Sequence, residues 1–114
     1  MKTIGMIGTR RRNRTKDFMK AFRAFQDIYE DGDQLVSGGC PKGGDNFAEL
    51  IAKRQQIPIT IHYAQWNKHG KAAGFIRNQD IANAADVMIA CVHPDRKGGT
   101  EDTLKKFKGK VVLV

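Results

Sequence analysis

Short apolar runs in this chain keep stopping at glycine. Thr3 to Gly8 runs into Gly8-Thr9-Arg10, and Gln34 to Ser37 runs into Gly38-Gly39. Between them Phe18, Met19, Ala21, Phe22, Phe25 and Ile28 recur at spacings of three and four. That spacing puts them on one face of a helix from about residue 15 to 30, closed by Asp31-Gly32. The alternation then repeats: a helix over about 45–56 with Phe47, Ala48, Ile51 and Ala52 inward, a strand over 58–63, a helix over 72–85, a strand over 86–92, a helix over 100–107 and a strand over 111–114. Five strands alternating with four helices through short loops is the pattern of a parallel sheet covered on both faces, and strands that do not alternate with polar residues agree with burial on both sides. With right-handed crossovers the expectation is a single α/β domain over residues 1–114, a Rossmann-like doubly wound parallel sheet in strand order 3-2-1-4-5.

At 114 residues the chain has room for one such core. Its longest apolar run, Val87 to Val92, is far short of the roughly 20 residues of a membrane-spanning helix, so no membrane partner is expected. The opening Met1 to Gly8 is too short for a secretory signal and runs directly into Arg10-Arg11-Arg12, so it reads as a buried strand. Two cysteines, Cys40 and Cys91, are too few for a disulfide framework and lack metal-site spacing, as do His62, His69 and His93. These features point to a cytoplasmic protein with no metal and no required cofactor, and they leave a homo-oligomer open.

In an open parallel sheet ligands bind beyond the carboxyl ends of the strands, where the strand order reverses. Three loops belong at that edge: Gly8-Thr9-Arg10, Ser37 to Asp45, and His93 to Thr100. Seven of the 12 glycines lie in them, including Gly38, Gly39, Gly43, Gly44, Gly98 and Gly99, so the glycines gather on the expected ligand side. Glycine allows a positive φ and close approach of a ligand, and helix N-termini offer free N–H groups, so two glycine pairs that each open a helix make a phosphate cradle. They also serve as plain tight turns, which any α/β protein needs. Neither standard nucleotide fingerprint fits: the first turn lacks G-x-G-x-x-G, and Cys40-Pro41-Lys42-Gly43-Gly44-Asp45 does not end as a P-loop does. Arg77 and Asn78 fall one to two turns into the third helix, where a guanidinium clamps phosphate or pairs with Asp80.

Lys plus Arg number 20 against 12 Asp plus Glu, a net charge of +8, so anionic partners lead the list. Five of the cations, Arg10, Arg11, Arg12, Arg14 and Lys16, stand at the first helix N-terminus, where the macrodipole disfavours them unless an anion is near. Arg10, directly after the first strand, is the phosphate candidate, while Arg11, Arg12 and Arg14 read equally as a solvated loop. A nucleic-acid-binding module that uses this tract is the rival reading, weakened by the lack of interleaved aromatics. Trp66 reads as packing before base stacking. Asp45 caps its helix, contacts a ribose hydroxyl or orders the glycine loop. Glu101 and Asp102 suit a helix N-terminus and are weak candidates for water activation.

Together these segments resemble the YspA-like (YAcAr, cpYpsA-related) branch of the SLOG superfamily, related to the DNA-processing protein DprA and the LOG phosphoribohydrolases. The resemblance rests on Gly8-Thr9-Arg10, on Ser37-Gly38-Gly39 with Gly43-Gly44-Asp45 and Ala48-Glu49, on Trp66 with Gly70 to Gly74 and Arg77-Asn78, and on Gly99-Thr100. It implies a domain that binds a nucleotide or nucleotide-derived ligand as a sensor, a sequestering protein or an N-glycosidic hydrolase. Two departures stand out. The second loop carries one extra residue in Cys40-Pro41-Lys42, and the distal glutamate of the LOG pattern G-G-x-G-T-x-x-E is Thr103 here. Cleavage through an oxocarbenium-like state needs a positioned carboxylate, so binding carries over better than hydrolysis does.

Overall fold

The computed structural model describes all residues, Met1 to Val114. Five strands, β1 (Thr3–Gly8), β2 (Gln34–Ser37), β3 (Ile59–Ile61), β4 (Val87–Cys91) and β5 (Lys110–Leu113), form one sheet in the order β3-β2-β1-β4-β5. Every neighbouring pair is parallel, so the expected doubly wound α/β sheet is the observed one. The register runs Ile4 beside Leu35 and Val87, and continues to Gly8 beside Cys91.

Alternate residues of each strand enter different cores, because strand side chains point to opposite faces. Ile4, Met6, Leu35, Val87 and Ile89 pack with Phe25, Phe47, Ala48 and Ile51 of α1 (Thr15–Ile28) and α2 (Gly44–Gln55). Ile7, Val36, Met88 and Ala90 pack on the other face with Ile81 and Ala82 of α4 (Ala73–Ala84) and with Phe107, which follows α5 (Gly99–Lys106). Both faces are covered by helices, and that is why the strands read as unbroken apolar runs. The sheet edges, β3 and β5, are short and partly exposed.

Three boundaries differ from the sequence expectation. The third helix was expected over 72–85, but a single turn, α3 (Trp66–His69), and a 3-10 turn, Gly70–Ala72, precede α4. A four-residue turn is too short to show a hydrophobic period. The third strand covers Ile59–Ile61 rather than 58–63, since only the segment beside Leu35 to Ser37 has a partner. α1 ends at Ile28, with Tyr29 already extended, and the chain reaches β2 through a turn held by Asp33. That buried carboxylate accepts the N–H groups of Lys2 and Glu30 and the Lys2 ammonium. Burial alone would raise its pKa, but these donors outweigh it and hold it at about 2.

No helix is long and apolar enough to cross a membrane. No group of three or more His, Cys, Asp and Glu side chains is arranged to hold a metal ion.

Candidate functional site

A cavity of about 360 Å³ opens beyond the carboxyl ends of β1 and β4, the strands between which the order reverses. Its floor is the end of β1 with Ile81 and Thr103, and its rim comes from the turn after β1, the start of α2, Arg77-Asn78 of α4 and the Lys97 to Thr100 approach to α5. Of the residues expected at the site, Gly8, Thr9, Arg10, Asp45, Arg77, Asn78, Gly98, Gly99 and Thr100 line it. Ser37, Gly38, Gly39, Gly43 and Gly44 do not, and neither do Glu101 and Asp102.

The glycines of the second loop are occupied by the protein itself. Gly44 is the first residue of α2, and a Cβ there would lie 2.2 Å from the carbonyl carbon and oxygen of Ile7. At Gly43, with φ of +75°, a Cβ would lie 2.4 Å from the Thr9 carbonyl oxygen. Both let α2 press its end onto the end of β1. The Gly43 N–H donates to Asn13 Oδ1 at 2.8 Å, the kind of contact that a ligand phosphate would otherwise make. Gly38 leaves space that the Asp45 carboxylate and the Arg77 guanidinium fill, and Gly39 lies against the Tyr63 ring.

Asp45 does not cap α2, because Gly43 holds that position and makes no side-chain cap. The Asp45 carboxylate turns back into its own loop, where Oδ2 accepts the Cys40 N–H at 3.2 Å and Oδ1 stands 3.2 Å from Ser37 Oγ. The Ser37 hydroxyl donates to the Met6 carbonyl at 2.6 Å, so the loop is tied to β1. Of the sequence-level alternatives, ordering the glycine loop describes these contacts. Burial pushes the Asp45 pKa up against the pull of the Cys40 N–H and the Arg77 charge.

Arg77 forms no ion pair with Asp80. Its Nη1 donates to the Gly38 carbonyl at 2.8 Å and its Nε to Asn78 Oδ1 at 2.9 Å. Asn78, itself buried, donates from Nδ2 to the Gly99 carbonyl at 3.3 Å and to Asp102 Oδ2 at 3.0 Å. This adjacent pair on α4 therefore ties the second glycine loop to the start of α5. Arg77 keeps further N–H groups for the cavity that it lines.

The third loop is open. A Cβ at Gly98 or Gly99 would meet nothing within 4 Å, and Gly98, the N-cap of α5 at φ of +100°, supplies no side-chain cap. The first-turn N–H groups of α5 therefore have no side-chain acceptor, and the Thr100 hydroxyl lines the cavity beside them. Arg10 and Lys97 line the same space and form no ion pair. Asp45 is the single carboxylate among the lining residues, against Arg10, Arg11, Arg77 and Lys97.

The two acidic candidates for chemistry are engaged elsewhere. Glu101 accepts from Arg96 Nε at 2.8 Å. Asp102 pairs with Lys106 at 2.6 Å as well as with Asn78, and although burial works upward, Lys106 and Asn78 draw its pKa below the usual carboxylate range. Thr103, at the distal position of the LOG pattern, is buried and donates to the Gly99 carbonyl at 3.2 Å.

Arg11, Lys97 and Cys40 line the cavity without having been singled out as ligand residues. Lys97 had a signal, since it directly precedes Gly98-Gly99. Arg12 does not belong to a solvated loop, since it is partly buried and binds Asp17 and the carbonyls of Val92 and Val114, whereas Arg11 is exposed and makes a two-pronged pair with Asp95 at 2.8 and 2.9 Å. Trp66 is 60% exposed and outside the core, so the packing expectation fails there. Comparison of the chain with family models, with curated proteins and with solved structures gave no match in any of the three.

Proposed function

We propose that this protein binds a nucleotide or nucleotide-derived ligand, with its phosphate at the start of α5. The observation that carries the reading is the cavity itself: uncapped N–H groups, the Thr100 hydroxyl and the unpaired cations Arg10 and Lys97 meet in a space lined by one carboxylate. A helix N-terminus with free donors favours an anion, and two flanking cations add charge-assisted contacts. A volume of about 360 Å³ is within the range of small-molecule sites. The resemblance to SLOG proteins points to the same ligand class. The role proposed is binding, as in a sensor or sequestering protein, because Glu101 and Asp102 are paired away from the cavity and Thr103 offers no carboxylate.

The experiment is a thermal-unfolding screen with nucleoside monophosphates and ribose phosphate, followed by titration. A bound nucleotide is expected to raise Tm with the logarithm of its concentration over Kd, and the double variant Arg10→Gln, Lys97→Gln is expected to weaken binding about tenfold or more. No shift with any phosphate-bearing ligand, or an unchanged affinity in the double variant, would overturn the reading.

A further inference from the structure

Immediately beside the nucleotide cavity lies a second basic groove of about 560 Å³, between the N-terminal end of α1 and the chain leaving β4. The two spaces share one wall, the Arg11 side chain, which lines both. Beyond it the groove carries Arg14, Lys16 and Lys20, all exposed and none in an ion pair. Lys16 and Lys20 are one helical turn apart on α1 and share a face. The one side-chain carboxylate in the groove, Asp17, is buried and already spoken for by the Arg12 guanidinium and the Arg14 N–H, and the Val114 main-chain oxygen is likewise held by Arg12. Arg14 and Lys16 at the helix N-terminus, with Lys20 one turn further on, are a local excess of positive charge without ion-pair partners.

We infer that this groove is a second phosphate site, and that the ligand of the neighbouring cavity is a nucleotide bearing a second, separated phosphate group. The inference rests on the nucleotide reading above, with one phosphate at the start of α5 and the other past Arg11 among Arg14, Lys16 and Lys20. Arg11 sits between them, and its pair with Asp95 is half-exposed, so it can turn to either phosphate. The groove is lined by no Phe, Tyr or Trp, and its one ring that could stack, His93, stands among four arginines and two lysines, so its contacts are to phosphate before a base. This chemistry has two sources, a small bisphosphorylated nucleotide or the phosphodiester backbone of an oligonucleotide whose end enters the cavity.

Titration calorimetry of the full chain separates them. The probes are adenosine 5′-monophosphate, adenosine 3′,5′-bisphosphate and short 5′-phosphorylated adenine oligonucleotides, each at low and high salt. The triple variant Arg14→Gln, Lys16→Gln, Lys20→Gln is run alongside, with its Tm measured to show that it folds. A gain of about tenfold or more over the monophosphate is expected, lost in the variant and reduced by salt, while monophosphate affinity is unchanged. A gain for the bisphosphate assigns the small-molecule source, and a gain for oligonucleotides alone assigns the strand. Equal affinity for all probes, or a gain that survives in the variant, overturns the second site. Absence of monophosphate binding instead counts against the nucleotide cavity itself.

Discussion

Gly43-Gly44 and Gly98-Gly99 look alike in the chain, each a glycine pair opening a helix at the same sheet edge, yet they do different work. The first pair is closed: a Cβ at either position would run into the backbone of Ile7 or Thr9, and the Gly43 N–H is held by Asn13. The second is open, with nothing outside its own chain neighbours and helix backbone within 4 Å of either added Cβ and no side-chain acceptor on the helix-end N–H groups. A glycine pair at a helix start thus has two uses, bringing the helix onto the sheet or leaving its N–H groups reachable. The neighbouring strand end decides between them.

Four substitutions test that contrast, in falling order of their effect on stability. Gly44→Ala sets a Cβ 2.2 Å from backbone that cannot move without shifting β1, so a loss of about 3 kcal/mol or more is expected by urea unfolding. A loss under about 1 kcal/mol would mean that α2 is not seated as described. Asn13→Ala strips the acceptor from the buried Gly43 N–H and is expected to cost about 1–3 kcal/mol; a neutral result would place water or solvent at that amide.

Asp45→Asn probes the closed loop through pH. Because the Asp45 pKa is raised in the folded protein, the native state holds that proton longer than the unfolded chain. The contribution is most favourable below the unfolded value near 3.9 and is lost as pH rises through the folded pKa. The variant should flatten that part of the stability profile, read as unfolding midpoints from about pH 4 to pH 7, and an unchanged slope would assign it to another group.

Gly99→Ala should change stability least, by about 0.5 kcal/mol or less, since nothing opposes the added methyl group. It should nevertheless weaken nucleotide binding about tenfold, because the methyl group stands where a phosphate meets the helix end. Unchanged affinity there would remove the functional half of the contrast.

The strand order could be read from the sequence because burial on both faces left runs such as Val87 to Cys91 without polar interruption, and Phe18 to Ile28 kept one helical period. The place of the cavity followed from that order. Which glycine pair faces it did not, since the packing of Gly44 depends on the backbone of Ile7, far away in the chain. The same distance hid the partners of Arg11 and Arg12, because Asp95 and the Val92 carbonyl reach them only once β1 and β4 lie side by side. Glu101 and Asp102 looked available because their neighbours in sequence say nothing of Arg96 folding back or Asn78 arriving from α4.

The exposed indole of Trp66 has a practical consequence. It is the chain's only tryptophan, on the single turn α3 that leads into the helix carrying Arg77 and Asn78. Its fluorescence in the intact fold therefore comes from one solvent-facing position outside both cation-lined spaces. A dissolved quencher has direct access to it, so any shielding that accompanies ligand addition would report a rearrangement of this one corner of the molecule without a label.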